Sequence, residues 1–462
     1  MKMRKKISIA IATGALAVTA GVAPVRAAST LNGGGSSFVA NLVDICRAQY
    51  NRNSTFNSAG DIVNYTSSSS GTGKTSFASG AFAWAGSDSL YTSGAPANFV
   101  YVPLVAGSIS VMYHLEGITP ASATVRLSPD TIGKIFAGQI KMWNDPAIQA
   151  DNKVTTVPAV KKVSKNGVVV TVAKVGTKLN FTATATASAL SKYKGKPVTV
   201  AKVVVKGAST TRTQVAAKNI ASNVALSAAY VKGATYAIKV GGTSLGSVGV
   251  DSTKSGVTIK FPSLPIRVAY RSGTSGTTNN FTKFLNGAAG SVWTKPGNDA
   301  FTSAFPGSSV PSDGTFQAAN GSDGVANYVR DNNGAITYAE LSYAEERKSD
   351  SVKSVLVKNN AGEYVGPSAA ATAAFYAEAA IDDSGVITPD YTVKAADAYL
   401  INAVAYGLGY KTASADNAAV GRWYSYFIDK CAPSMGAAAF YAPLAGAIKT
   451  KALAQVAKIN AG

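Results

Sequence analysis

Along residues 29–152, and again from 263 onward, short apolar runs of strand character alternate with segments whose apolar residues recur at helical spacing. Ile62 to Tyr65 and Ile266 to Tyr270 read as strands, the second with Arg267 as its only charge. Val39, Leu42, Val43, Cys46 and Tyr50 make one apolar helix face; Phe281, Phe284 and Leu285 make another, with Gly287 as a stop. The stretch SPDTIGKIFAGQIKMWNDPAI predicts a helix capped near Ser128, with Ile132, Ile135 and Phe136 inward, then a short helix near Asp145. Phe99 to Leu104 and Ser108 to Tyr113 are β-like, and helices are expected over Trp423–Ile428 and Ala438–Ile459. Strands alternating with helices in this way predict α/β architecture with parallel sheet. Residues 153–262 break the pattern. VVVTVAK, KLNFTATATA, VTVAKVVVK and YAIKV alternate with period two and helix signals nearly vanish, so an inserted all-β module, an Ig-like sandwich, is expected there.

At 462 residues the chain is long enough for two or three domains, and 46% hydrophobic with 15% charged residues describes a globular protein. The N-terminus carries Lys2, Arg4, Lys5 and Lys6, an apolar run from Ile7 to Ala23, and Val25-Arg26-Ala27 as a small-x-small site. This predicts a signal peptide over 1–27, cleaved after Ala27, and hence an exported protein, periplasmic or at the cell surface. No cysteine lies near the cut, so a lipoprotein is not expected. In an oxidising compartment the two cysteines, Cys46 and Cys431, are expected to form one disulfide; two buried thiols are the other reading. No metal is expected: there is no CxxC, and the single histidine, His114, cannot anchor a cluster.

The net charge of +20 changes meaning once it is located. Residues 153–261 hold 17 Lys/Arg and only Asp251, five further basic residues sit in the leader, and the remaining body is near neutral. An anion held by that body must rely on local donors, not a global field. The insert itself reads either as a solvated β surface or as a contact for an acidic cell-wall polymer. Nucleic acid is not expected, because aromatics for stacking are few (Phe181, Tyr193, Tyr230, Tyr236).

Three Gly/Ser-rich stretches carry the candidate chemistry. Arg271-Ser272-Gly273-Thr274-Ser275-Gly276-Thr277-Thr278 follows a strand and opens a helix, with one arginine at its entrance. Gly33-Gly34-Gly35-Ser36-Ser37-Phe38 opens a second helix, and Ser67 to Gly73 leads from a strand into a third. Free N–H groups and hydroxyls at such junctions suit a small oxyanion. Ser70-Gly71-Thr72-Gly73-Lys74-Thr75 departs from a nucleotide P-loop, which needs glycine where Ser68 stands. His114 has no partner for a Ser-His-Asp triad, and Asp88 and Asp323 form no evident acid/base pair.

The ordered set LNGGGSSF, VNYTSSSSGTG, AGSDSL, VPLVAGSISVMYHLEG, IGKIFAGQIKMWNDPAI, YRSGTSGTTNNF, GSDGVANYV and GAITYAELSYA resembles the extracytoplasmic phosphate-binding proteins that serve Pst-type ABC importers. The resemblance implies a two-lobed, type II periplasmic-binding-protein-like clamshell. Lobe I would comprise 28–107 and 399–462, lobe II 108–152 and 263–398, with the β insert at 153–262. The two crossings would fall near Ser108–Tyr113 and Tyr399–Ala405. It also implies phosphate ligands at Ser37, Phe38 (through its backbone N–H), Ser70, Asp88, Arg271, Ser275, Gly276 and Thr277. Asp88 would select for a ligand that still carries a proton, since an ionised carboxylate only accepts. The family usually has an aspartate two positions after this arginine, holding the guanidinium; here that position is Gly273. The implied function is binding of inorganic phosphate and its delivery to the importer's membrane permease, without catalysis or cofactor. A secreted or wall-associated binding or adhesion protein is the alternative, and a phosphatase a more distant one.

Overall fold

The computed structural model describes residues 28–461 except 154–155, 158–160, 176–177, 207–208, 232–233, 250–253 and 256–258. The expected leader and its cut after Ala27 lie outside the described residues.

The body is built on one mixed ten-stranded sheet. Its main strands are β1 (Thr30–Gly35), β2 (Ile62–Ser67), β3 (Trp84–Ser87), β4 (Phe99–His114), β5 (Arg267–Arg271), β6 (Phe316–Ala319), β7 (Ala335–Glu340) and β8 (Asn402–Tyr410). They lie in the order β6-β5-β7-β4-β8-β3-β1-β2, and the short strands Val352–Ser354 and Tyr441–Ala442 also pair with β4. β1 runs parallel to β2 and β3, and β5 parallel to β6 and β7, as the alternation of strands and helices requires. β4 is antiparallel to both its long neighbours: Phe99 to Ser108 pair with β8, Ile109 to Tyr113 with β7. The two β-like runs expected at 99–104 and 108–113 are therefore one continuous strand. Val105 and Ala106 between them are buried too, because two halves of the sheet meet there.

Helices cover the sheet. The ones that matter here are α1 (Ala40–Tyr50), α2 (Ser70–Ala78), α3 (Gly276–Ala288) and α4 (Gly321–Asp331). The apolar faces follow the sequence pattern: Leu42, Val43, Cys46 and Tyr50 of α1 and Phe281, Phe284 and Leu285 of α3 are fully buried. Ser128 and Asp145 cap the two helices after β4. Cys46 and Cys431 are bonded to one another, with 5.7 Å between their Cα atoms, tying α1 to the C-terminal region. The fully buried Asp61 receives two hydrogen bonds from Arg422, at 2.8 and 2.9 Å. The long helix expected over Ala438–Ile459 is not formed. Pro443 breaks it, Tyr441 and Ala442 join the sheet, and the helix runs only from Gly446 to Val456.

Between Lys161 and Gly249 lie two four-stranded antiparallel sheets. One has the order Asn223–Ala229, Lys178–Ala185, Val168–Val175, Lys161–Lys165; the other Ser209–Asn219, Pro197–Lys206, Thr235–Val240, Thr243–Gly249. Alternate residues (Val170, Val172, Phe181, Val200, Tyr236, Ile238) form a hydrophobic core separate from that of the body. The helix Ala187–Lys192, capped by Thr186, is the single helix among the described residues of this segment.

Candidate anion site

The site forms where the chain leaves the C-terminal ends of parallel strands, the usual position for a ligand in α/β sheets. β1 ends in glycines and delivers Ser36, Ser37 and Phe38 ahead of α1; β3 delivers Asp88. Ser69 caps α2 by accepting from Thr72 N–H at 3.1 Å, and Ser275 caps α3 by accepting from Thr278 N–H at 3.2 Å. Ser70, Gly276 and Thr277 thus occupy the first turns of α2 and α3, and Ser322 that of α4.

Asp88 is the centre of the arrangement. Its buried carboxylate accepts hydrogen bonds from the hydroxyls of Ser36, Ser70 (3.3 Å) and Thr277 (3.2 Å). Its backbone is held as well: the N–H donates to Ser70 Oγ at 3.2 Å and the carbonyl accepts from Asn280 Nδ2 at 2.6 Å. Burial pushes this carboxyl up to about 6, against the pull of Ser36, the Arg271 guanidinium, Thr277 and Ser70. Arg271, only 2% exposed, donates from Nη1 to Ser322 Oγ at 3.3 Å, and burial lowers the pKa of its guanidinium. Ser322 Oγ also lies 2.9 Å from Ser37 Oγ, and Ser322 N–H donates to Ser37 Oγ at 3.3 Å. The Arg271 Nε has no hydrogen-bond partner among the described residues.

Close packing explains the glycines. A Cβ on Gly276 would lie 2.6 Å from Ser70 Oγ and 2.8 Å from Asp88 Cβ, so only glycine lets α3 approach so near. A Cβ on Gly71 would meet Thr274 Oγ1 at 1.8 Å, where Gly71 N–H donates to Thr274 O at 3.2 Å. The loops of the two sheet halves touch directly.

Of the residues expected to hold the anion, Ser70 and Thr277 are bonded to Asp88, Ser37 and Arg271 meet at Ser322, and Gly276 packs against Ser70 and Asp88. Ser275 stands beside it as the α3 cap, its own N–H donating to Asp299 O at 2.8 Å. The Phe38 N–H, expected to face the ligand, donates to Ser36 Oγ at 3.1 Å. Ser36, Asn280 and Ser322 were not foreseen. The Gly-Ser pair opening GSDGVANYV follows the same strand–glycine–serine–helix rule as the other loops and could have pointed to Ser322. Gly273 has nothing within 4 Å of an added Cβ, and Ser322 takes one N–H of the guanidinium that the family's aspartate would hold.

Other candidates fall away from the site. Lys74 donates to Ser89 Oγ and Leu90 O, both at 2.9 Å, and pairs with Asp299 at 2.8 Å, so its ammonium is spoken for. Asp323 pairs with Arg347, and His114 Nδ1 lies 2.9 Å from Arg330 O. Among the described residues no group of three or more His, Cys, Asp or Glu could hold a metal, and no helix is long and apolar enough to cross a membrane.

The PBP superfamily domain matches residues 20–257 and 173–430. The chain belongs to the PBP superfamily. This PBP superfamily member is similar to phosphate-binding protein PstS 3 of Mycobacterium leprae, 24% identical over 302 residues, covering 64% of this chain and 50% of that protein. Phosphate-binding protein PstS 2 of Mycobacterium tuberculosis is 35% identical over 111 residues, 21% of this chain and 28% of its own. The chain thus spans half or less of the length of these curated relatives. In fold it is similar to the ancestral soluble variant of the human phosphate binding protein, with a TM-score of 0.53 at 18% identity, covering 91% of this chain and 92% of that one. It is also similar to a phosphate-binding protein from Stenotrophomonas maltophilia, with a TM-score of 0.50 at 18% identity, covering 92% and 93%.

Proposed function

We propose that this PBP superfamily chain binds inorganic phosphate between two lobes and delivers it to the membrane permease of a phosphate ABC importer. One observation carries the reading: a buried carboxylate, Asp88, ringed by hydroxyl donors and facing a buried arginine where helix N-termini from both sheet halves meet. Phosphate oxygens accept from Arg271, from the hydroxyls of Ser37 and Ser275 and from the Gly276 N–H, while Ser70 and Thr277 line the site through Asp88, to which their hydroxyls donate, and Phe38 through Ser36, to which its N–H donates. The phosphate proton goes to Asp88, which an anion without a proton cannot satisfy. The names of the curated relatives support phosphate as the ligand and binding, not turnover, as the activity.

The lobes are 28–107 with 399–462, and 108–152 with 263–398. The partner exchange along β4 at Ser108–Ile109 supports this division, as do the bonds Ile109 N–H to Ile401 O (2.8 Å) and Tyr399 OH to Ile109 O (2.9 Å). Closure of such lobes sequesters the ligand. Residues 153–262 are an accessory Ig-like domain, supported by their two packed sheets and separate core; their lysines suit an acidic wall polymer. The protein acts outside the cytoplasm after export.

Calorimetric titration with phosphate, sulfate and arsenate tests the reading. Wild type should bind phosphate and reject sulfate, and Arg271→Ala should lose about 2–5 kcal/mol of phosphate affinity. Absence of phosphate binding to folded wild type would sink the proposal.

A further inference from the structure

The orientation of the Ser36 hydroxyl is imposed from several sides. Its N–H donates to Gly86 O at 2.8 Å and its carbonyl accepts from Tyr65 OH at 2.7 Å, so its backbone is pinned. Its Oγ accepts the Phe38 N–H at 3.1 Å and donates to Asp88 Oδ1, while Ser70 and Thr277 both address Oδ2. Ser36 is 1% exposed, and no other hydrogen bond reaches Oδ1 among the described residues. With its lone pair engaged by Phe38, the hydroxyl proton is aimed at the carboxylate.

We propose that Ser36 is a specificity-determining residue of the anion site: its hydroxyl, oriented by the Phe38 N–H, holds Asp88 in the ionised, acceptor-only form and so keeps the site closed to anions that carry no proton. This rests on the phosphate-binding reading. A buried carboxyl tends to keep its proton, and a protonated Asp88 would donate to sulfate as readily as it accepts from phosphate. Hydrogen bonds to the ionised form oppose that tendency, as does the Arg271 guanidinium, and Ser36 supplies the bond to Oδ1. The titratable groups facing Asp88 are Arg271 at the end of β5 and Tyr65 of β2. Burial holds the phenol of Tyr65 neutral, and α2 and α3 contribute only the hydroxyls of Ser70 and Thr277. Removing the Ser36 hydroxyl therefore changes the protonation of Asp88 without removing charge and leaves both bonds to Oδ2 in place.

The test is competition of sulfate against phosphate between pH 5 and 8.5 on wild type, Ser36→Ala, Ser36→Thr and Ser36→Cys. In wild type, sulfate should begin to compete only as the pH falls toward 6. In Ser36→Ala that onset should move up by about one pH unit, the effect of losing one hydrogen bond to a charged group. Ser36→Thr, which keeps the hydroxyl, should restore the wild-type profile. Ser36→Cys, close in shape but a weak donor, should shift the onset in the same direction and gives the answer if the alanine variant does not fold. Phosphate binding with the same sulfate onset in wild type and in the folded Ala or Cys variant would overturn the role of Ser36 alone. Absence of phosphate binding to wild type would overturn the functional reading beneath it.

Discussion

The ion pair between Lys74 and Asp299 bridges the two halves of the body, and its removal should weaken ligand binding without touching a ligand contact. Lys74 is in α2; Asp299 follows α3, and its backbone carbonyl receives the N–H of Ser275. Besides Asp299, the ammonium's hydrogen-bond partners among the described residues are Ser89 and Leu90, which belong to its own half and stay with it on opening. What opening would take from this ammonium and its neighbour is thus the 2.8 Å contact to Asp299 and the 2.9 Å bond from Ser89 Oγ to the same oxygen. The side chains are 10% and 18% exposed, between a surface pair and a buried one. A surface pair contributes about 0–1 kcal/mol, and breaking a buried one costs about 3–5 kcal/mol. Lys74→Met should therefore cost about 2 kcal/mol of closure, or roughly 30-fold in phosphate affinity if the ligand is held in the closed form. Calorimetry on Lys74→Met, Asp299→Asn and the double variant measures it. The double variant should lose little more than either single one, because both remove the same contact. Wild-type phosphate affinity in a folded Lys74→Met protein, or fully additive losses, would refute the reasoning.

Asp88→Asn should keep much of the phosphate affinity and relax the exclusion of sulfate, and an unchanged phosphate-to-sulfate ratio in competition calorimetry would count against Asp88 as the selector. Replacing Cys46 and Cys431, 385 residues apart, by serine should cost about 6 kcal/mol in the chain-entropy account, seen as a clear fall in Tm by calorimetry. Excision of 153–262 with a short linker should leave phosphate binding intact, and loss of binding in a folded product would place the insert in the site. Glu340 is fully buried, accepts from Ser342 N–H at 2.9 Å and Tyr441 OH at 3.1 Å, and is pushed up to about 8 by burial. Its neutral form is favoured by folding, so its contribution is complete below about pH 4.5 and lost as pH rises through about 8; Glu340→Gln should flatten that fall of Tm.

Local patterns carried far. The i, i+3, i+4 faces of α1 and α3, the caps at Ser128 and Asp145, and the switch to period two after residue 153 all appear in the structure, because each depends on neighbours a few residues away. The break at Pro443 is equally local and outweighs the apolar content of Ala438–Ile459. Contacts between distant segments were not legible. Nothing in Lys74-Thr75 announces Asp299, whose position beside Lys74 is set by contacts 225 residues away in sequence. Ser36 and Ser37 are adjacent, yet one turns to Asp88 and the other to Ser322, a choice made by the pinned backbone between Gly86 and Tyr65.

The single strand β4 serves both halves of the sheet, passing from β8 to β7 between Ser108 and Ile109 with hydrogen bonds on either side. Motion between the halves must then twist a continuous ladder, buried from Val102 to Tyr113, instead of flexing a solvated linker. Such a joint resists splaying and shear while yielding to torsion, and it adds little conformational entropy when it moves. In hydrogen exchange, the amides of Gly107 to Ser110 should be among the slowest in the molecule, although they sit at the pivot.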